Sequence, residues 1–420
     1  MMAFSVARFY FKGWIYDLYV LPKYHFTYYG FDWIKPFSEA GMYAVFVVLF
    51  CVAIFIAFGF LYRISAITFF LLFTYVELID KTTYLNHYYF VSLIAFLLIF
   101  LPANKRFSID ATLLRRGHSH RVPAWTINIL KFQLFIVYFY AGLAKLNADW
   151  MLHALPLKIW LPASSHLPLI GPLLKYELTA YIFSWGGAIY DLTIPFFLMN
   201  RKTRGWAFLT VVVFHMLTAT LFPIGMFPYI MTISVLIFFS SSFHETLIRT
   251  AERLLNLKTR LSNDRRFIIG KVFSLVLVFY CIIQIVFPLR FLAYPGNLFW
   301  HEEGYRFSWR VMLMEKMGNA TFSVTDPVTQ NTAIISNYEY LTSLQEKQMS
   351  TQPDMILQFA QLIKDDYEAR GISNPIVKVD AQVTLNGRKS RPFIERSVNL
   401  AEHEEGWEHK TWVLPIENNN

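Results

Sequence analysis

An ionisable or amide side chain inside an apolar run is expensive unless it binds or reacts, so such residues are the first candidates for chemistry. Lys145 closes the run FIVYFYAGLAK, Asn86-His87 open the run NHYYFVSLIAFLLIF, His215 sits inside VVVFHML, and Asp191 inside GGAIYDLTIPFF. In an apolar surround, desolvation disfavours the ammonium form. A lysine such as Lys145, flanked by Ala144 and Leu146, is then a candidate general base presented as a neutral amine. Asn86 and His87 can hydrogen-bond an oxygen-bearing ligand. Each residue also has a plainer reading. A lysine at a helix end can snorkel to the interface, His215 can be a satisfied core histidine, and Asp191 can pair with Lys131 or accept an interhelical hydrogen bond. Glu402–His409 reads EHEEGWEH and holds metal-binding residue types, but without helical or finger spacing it reads as a solvated acidic face. No Ser–His–Asp pattern, HExxH or paired-cysteine site competes with Lys145. Cys51 and Cys281, each inside an apolar run, build no disulfide framework.

The elements that must position these groups are membrane helices. The chain of 420 residues is 55% hydrophobic and only 16% charged, where a soluble chain carries about a quarter charged residues. Apolar runs at roughly 41–62, 64–79, 84–101, 126–145, 180–199, 205–222, 226–240 and 268–289 predict about eight spans. Met1–Tyr10, interrupted by Arg8, reads as the tail of a ninth, N-terminal helix that is otherwise missing. The basic loops Pro102–Trp125, Met199–Gly205 and Ser241–Arg266, and Arg63, then fall on one side, which the positive-inside rule makes cytoplasmic. Residues 1–290 hold 26 Lys+Arg against 12 Asp+Glu, a net +14, and residues 291–420 hold 12 against 17, a net −5. The division predicts a polytopic α-helical membrane bundle over 1–290 and an extracytoplasmic α+β domain over 291–420. Because the soluble part is acidic, nucleic-acid binding is excluded.

Within that C-terminal part, Thr321–Val324, Ala333–Ile335, Ile376–Leu385, Phe393–Val398 and Thr411–Leu414 read as strands, with a turn at Asn386-Gly387. Asp354–Arg370 reads as an amphipathic helix ended by Gly371. From Thr126 to Lys145, nineteen helical steps cover about 28 Å, which puts Lys145 at the outer end of its span. Asp80, Lys81, Asn86 and His87 share the outer hairpin before the third span, while His215 and Asp191 lie near the middles of theirs. Most of these polar groups fall in the outer half of the bundle, beside the C-terminal domain, where a lipid-soluble substrate could meet them.

The runs DKTTYLNHYYF (80–90) and FIVYFYAGLAKLNADW (135–150), Gly186-Gly187 with Asp191-Leu192, and FHMLTATLFPIGMFPY (214–229) resemble the vitamin K-dependent gamma-carboxylase family. The membrane part of that family is also called the horizontally transferred transmembrane (HTTM) domain. GYRFSWRVM (304–312) and TWVLP (411–415) extend the resemblance over nearly all of the chain. It implies a membrane enzyme in which reduced vitamin K, of phylloquinol or menaquinol type, reacts with O2 to give a base stronger than any side chain. That base removes the γ-proton of a protein glutamate, CO2 is captured, and the quinone leaves as its epoxide. No metal is implied.

By the same resemblance, Lys145 is the catalytic base that deprotonates the hydroquinone. Asn86, His87 and His215 line the cofactor site, and Tyr305 lies in the segment associated with glutamate. The implied partners are the lipid bilayer, a naphthoquinol and a glutamate-containing protein or peptide. The sequence departs from the family at Ala144, where members often have the first of two lysines, and at Gly304, where the animal enzyme has a leucine. It also ends soon after TWVLP, short of the animal enzyme's further lumenal region, which fits a bacterial-type member in a plasma membrane. A quinol epoxidase or oxygenase without carboxylation, and a non-catalytic quinone-binding membrane scaffold, stay open as alternatives.

Overall fold

Glycine or proline follows the ends of several apolar helices, as Gly59, Pro102 and Pro223 do. The computed structural model describes residues 1–105, 108–113, 122–254 and 271–416. Its principal membrane-part helices are α1 (Met2–Phe11), α2 (Glu39–Phe58), α3 (Tyr62–Ile79), α4 (Asn86–Phe100), α5 (Ala124–Ala144), α6 (Glu177–Met199), α7 (Arg204–Leu221), α8 (Phe227–Ser234), α9 (Ser241–Leu254) and α10 (Lys271–Val286). Helix α2 ends at Gly59 in the left-handed conformation, φ 62°. The backbone N–H groups of Leu61 and Tyr62 then donate to the Asp110 carboxylate at 2.8 and 2.9 Å, so an acid from the later short helix Ile109–Leu113 caps α3.

Among the described residues, α2, α3, α5, α6, α7 and the segment Phe273–Ala293 are long and apolar enough to cross a membrane. The other two predicted runs fold differently. Helix α4 has 15 residues, about 22 Å, against a hydrocarbon thickness of about 30 Å. The run 226–240 becomes the helical stretch Phe227–Phe238, which meets Ser241–Thr250 at a bend of 110°, and that pair counts as a seventh span only if taken together. Near the N-terminus, α1 packs on α2 through Phe9 and Phe46, ring centroids 5.3 Å apart. Of the basic residues used to orient the loops, Arg106, Arg115, Arg116, Arg121, Lys258, Arg260, Arg265 and Arg266 lie outside the described residues.

The C-terminal part holds a four-stranded antiparallel sheet in the order β2-β1-β3-β4, with β1 Lys316–Thr325, β2 Thr332–Ile334, β3 Ile376–Leu385 and β4 Arg391–Pro392. Alternation along β3 puts Val377, Val379, Ala381, Val383 and Leu385 on the buried face. Helix α11 (Pro353–Ala369) covers that face, with Phe359 edge-on to Phe322 at 4.8 Å, and Gly371 at φ 96° follows its end. The two last predicted strands are not ladders. Pro392, which has no N–H to donate, closes β4, and the chain meets 411–414 through the single bridge Ile394–Val413.

Ionic clamps hold the sheet and α11 against one end of the helices. Buried Asp80 caps its own turn through Thr82 and accepts a hydrogen bond from Gln345 Nε2 at 2.8 Å. Lys81 Nζ reaches Asp354 at 2.8 Å and Glu405 at 3.1 Å, and Arg306 reaches Asp354 at 2.7 Å. Glu405 belongs to the EHEEGWEH segment, and so does His409, which contacts Glu303 at 2.6 Å. Glu405 and His409 thus staple the segment down, while Glu402, Glu404, Trp407 and Glu408 are exposed, as expected of a solvated face.

Burial would raise the Asp354 carboxyl, but Arg306 and Lys81 outweigh it and hold the group well below the usual carboxylate range. A depressed folded pKa contributes stability above the unfolded value of about 3.9 and loses it as pH falls below that value. Asp354→Asn is therefore expected to destabilise the detergent-solubilised protein by about 3 kcal/mol at pH 7. The gap from wild type should narrow below about pH 4. Thermal unfolding of both proteins across pH checks this, and a gap independent of pH would contradict the charge pairing.

Candidate functional site

Helices α5 and α6 run antiparallel in close contact, with Phe135 and Phe139 beside Phe196, and Gly142 beside Leu192. A Cβ on Gly142 would stand 2.8 Å from the Leu192 backbone nitrogen, so only glycine permits this approach. The contact brings Lys145 level with Asp191. Lys145 Nζ donates to Asp191 Oδ2 at 2.6 Å and to the Ala141 carbonyl at 3.2 Å. Gly187 lies beside the lysine stem, where a Cβ would make only ordinary contact with Lys145 Cε at 4.0 Å. Trp150 covers the ammonium at 5.4 Å, held by its indole N–H to the Ser184 carbonyl at 2.8 Å. Both charged side chains are 8% exposed.

This pair corrects two expectations. Asp191 is not a partner of Lys131, which lies fourteen residues, about 21 Å, further down α5 and faces the Phe238 ring. Nor does Lys145 snorkel outward as an isolated amine. Side chains lean toward a helix's N-terminal end, and here the lysine turns back into the bundle to meet a carboxylate. It is one half of an ion pair, and Asp191 is in a position to exchange a proton with it.

Tyr138, Ala141 and Lys145, at i, i+3 and i+7, share one face of α5. Tyr138 Oη and His215 Nε2 share a hydrogen bond of 2.9 Å, while His215 Nδ1 is buried with no partner. Lys145, Asp191, His215, Tyr138, Trp150 and Phe214 line a chamber of about 100 Å³. Trp160, Ile224, Phe227, Val311 and Met312 border both this chamber and a second cavity of about 900 Å³. His87, Asn86 and Tyr305 line the second cavity. Phe227 stands between the two histidines, 5.9 Å from the ring of each.

The predicted residues are therefore brought to two sides of one wall. Lys145 and His215 share the inner chamber, and His87 faces it across Phe227. Among the described residues, His87 has no hydrogen-bonded partner. Asn86 is partly committed elsewhere: its Nδ2 donates to the Arg310 carbonyl at 2.9 Å and its Oδ1 accepts from Tyr84 Oη at 3.1 Å. Burial pushes the Tyr305 phenol well above its ordinary range, so it is a neutral donor at any physiological pH.

Gly304 takes φ 83°, and a Cβ there would stand 2.8 Å from Phe291 Cα, which accounts for glycine at this position. It belongs to a stretch in which Glu302, Phe307, Trp309 and Met312 also have positive φ. Such conformations cluster at sites whose surroundings over-determine them. Tyr138 and Trp150 are site residues that sequence reasoning missed. Tyr138 carried a usable signal, since it shares the helical face of Lys145.

At about 100 Å³ the chamber is smaller than the roughly 150 Å³ cavity that takes a benzene ring, so a flat aromatic diol would reach its polar groups only from the adjoining cavity of about 900 Å³. The chamber offers aromatic walls, an unpartnered imidazole nitrogen and an ammonium–carboxylate pair to hydrogen-bond its oxygens. The family model described as the HTTM domain matches residues 1–243, and the model described as the vitamin K-dependent gamma-carboxylase lumenal domain matches residues 269–419. No solved structure matches the chain.

Proposed function

Since the chain belongs to the vitamin K-dependent gamma-carboxylase family, we propose that it is a membrane enzyme coupling O2-driven epoxidation of a vitamin K-type hydroquinone to γ-carboxylation of glutamate. The observation that carries this reading is the Lys145–Asp191 pair, 2.6 Å long, facing an aromatic chamber that also holds the unpartnered His215 Nδ1. The hydroquinone supplies, on reaction with O2, the strong base that glutamate deprotonation needs. The side chains do the rest. Lys145 passes a proton from Nζ to Asp191 Oδ2 and, as the neutral amine so formed, takes the hydroquinone's proton at Nζ. His215, oriented by Tyr138, hydrogen-bonds a ring oxygen through Nδ1, and His87 and Asn86 serve the approach from the larger cavity. Trp150, Phe214 and Phe227 exclude water, which would quench a strong base. Tyr305 faces the glutamate side. The C-terminal part is assigned to the side of the membrane away from the cytoplasm.

The test uses the full chain in detergent micelles with vitamin K hydroquinone, O2 and a glutamate-containing peptide. Epoxide and incorporation of labelled CO2 are measured together, and both are expected. Epoxide without labelled peptide would reduce the function to quinol epoxidation. A folded protein that binds the quinone and forms no epoxide would leave only a quinone-binding scaffold.

A further inference from the structure

The buried cations at the junction are nearly all answered. Lys81 and Arg306 meet Asp354, Lys316 meets Glu302 at 2.8 Å, and Arg388 is held by Asp149. Arg290 donates to Ser308 Oγ at 2.9 Å and to the carbonyls of Phe287 and Arg306. Arg310 is different. It is 7% exposed, its guanidinium stacks over the Phe291 ring at 4.3 Å, and its Nε is buried without a partner. Among the described residues it has no carboxylate. Burial pulls its pKa down to about 10, which leaves it charged at neutral pH. A buried charge left uncompensated is strongly unfavourable, so the position calls for an anion from outside.

Arg310 borders the 900 Å³ cavity and also a third one of about 1210 Å³. Arg388, Lys389, Arg391 and His153 line the third cavity with it, and the single acid there, Asp149, is already bound by Arg388 and by Asn386 at 2.7 Å. Its walls come from the end of α5, from Leu289 and Phe291 at the end of the last candidate span, and from the turn between β3 and β4, so it is a groove where the C-terminal part meets the ends of two membrane helices. Ala144, Leu146 and Asn147, which flank Lys145 in sequence, line it too. We propose that this basic groove admits an acidic polypeptide segment and that Arg310 receives the carboxylate of its glutamate. The proposal rests on the carboxylation reading and adds the route and the anchor. The guanidinium fork suits a carboxylate bidentately, and a glutamate held there lies one wall away from the Lys145 chamber.

Binding of a fluorescent glutamate-containing peptide to the full chain in micelles tests the proposal separately from turnover. Wild type is expected to prefer the glutamate peptide to its glutamine counterpart. Arg310→Gln should weaken the glutamate peptide by about tenfold or more and erase the preference, with Arg310→Lys recovering part of it. Lys389→Glu, an exposed change at the groove's rim, should weaken binding about threefold, an effect that fades at high salt. Equal affinity in Lys389→Glu or in a folded Arg310→Gln overturns the proposal. So does displacement of the peptide by anionic phospholipid vesicles and not by free glutamate peptide, which would make the groove a headgroup site. Peptide binding as expected with no labelled CO2 would instead count against carboxylation alone.

Discussion

Replacing Lys145 by alanine is expected to lower epoxide formation from vitamin K hydroquinone by roughly 10²- to 10⁴-fold, the range of a positioned general base. The informative control is Lys145→Arg. A guanidinium keeps the charge opposite Asp191, yet it does not give up its proton at any working pH. If the lysine is a base, the arginine variant is as inactive as the alanine variant while remaining better folded. Small primary amines added to Lys145→Ala should restore part of the rate, because the vacated site lies in a chamber bordering a larger cavity. Substantial activity in Lys145→Arg would reassign Lys145 to electrostatic stabilisation.

Asp191→Ala is expected to cost about 3–5 kcal/mol of stability, because it strands a buried ammonium whose carboxylate stood 2.6 Å away. The double variant Lys145→Ala/Asp191→Ala should be markedly more stable than Asp191→Ala alone, since removing both charges removes the penalty. A double-mutant cycle by thermal unfolding in one detergent gives the coupling directly. Additive losses would mean that the two groups do not face each other in solution. Asp191→Asn separates stability from chemistry. It keeps the shape and a hydrogen bond to Nζ, but supplies no proton acceptor, so its epoxidation should fall further than its stability.

The sequence made the helical runs and their order legible because hydropathy is a property of single helices. Strand β3 was legible to the residue, since alternating Val377, Val379, Ala381 and Val383 leaves one face to bury. Pairings between distant elements were less accessible. Depth along the chain set Lys145 at an outer end and Asp191 mid-span, which hid their contact. In the structure α6 starts at Glu177, well beyond the level of Lys145, so fourteen residues of it are spent before Asp191 is reached. The same limit applied to Asp80 and Lys81. Both were visible as polar residues out of place, but their partners Gln345, Asp354 and Glu405 lie more than two hundred residues away. Arg310 carried no local signal at all, because what marks it is the absence of an acid in three dimensions.

The tight crossing at Gly142 has a further consequence. The spacing between the two groups that would trade a proton is governed by a position that takes no part in the exchange. A single methyl group added at residue 142 would wedge against Leu192, next in the chain to Asp191, and prise the helices apart at the level of the pair. The rate of proton exchange would then answer to the bulk of a silent residue, and a chain with every reacting group intact could be inactive through one carbon atom too many.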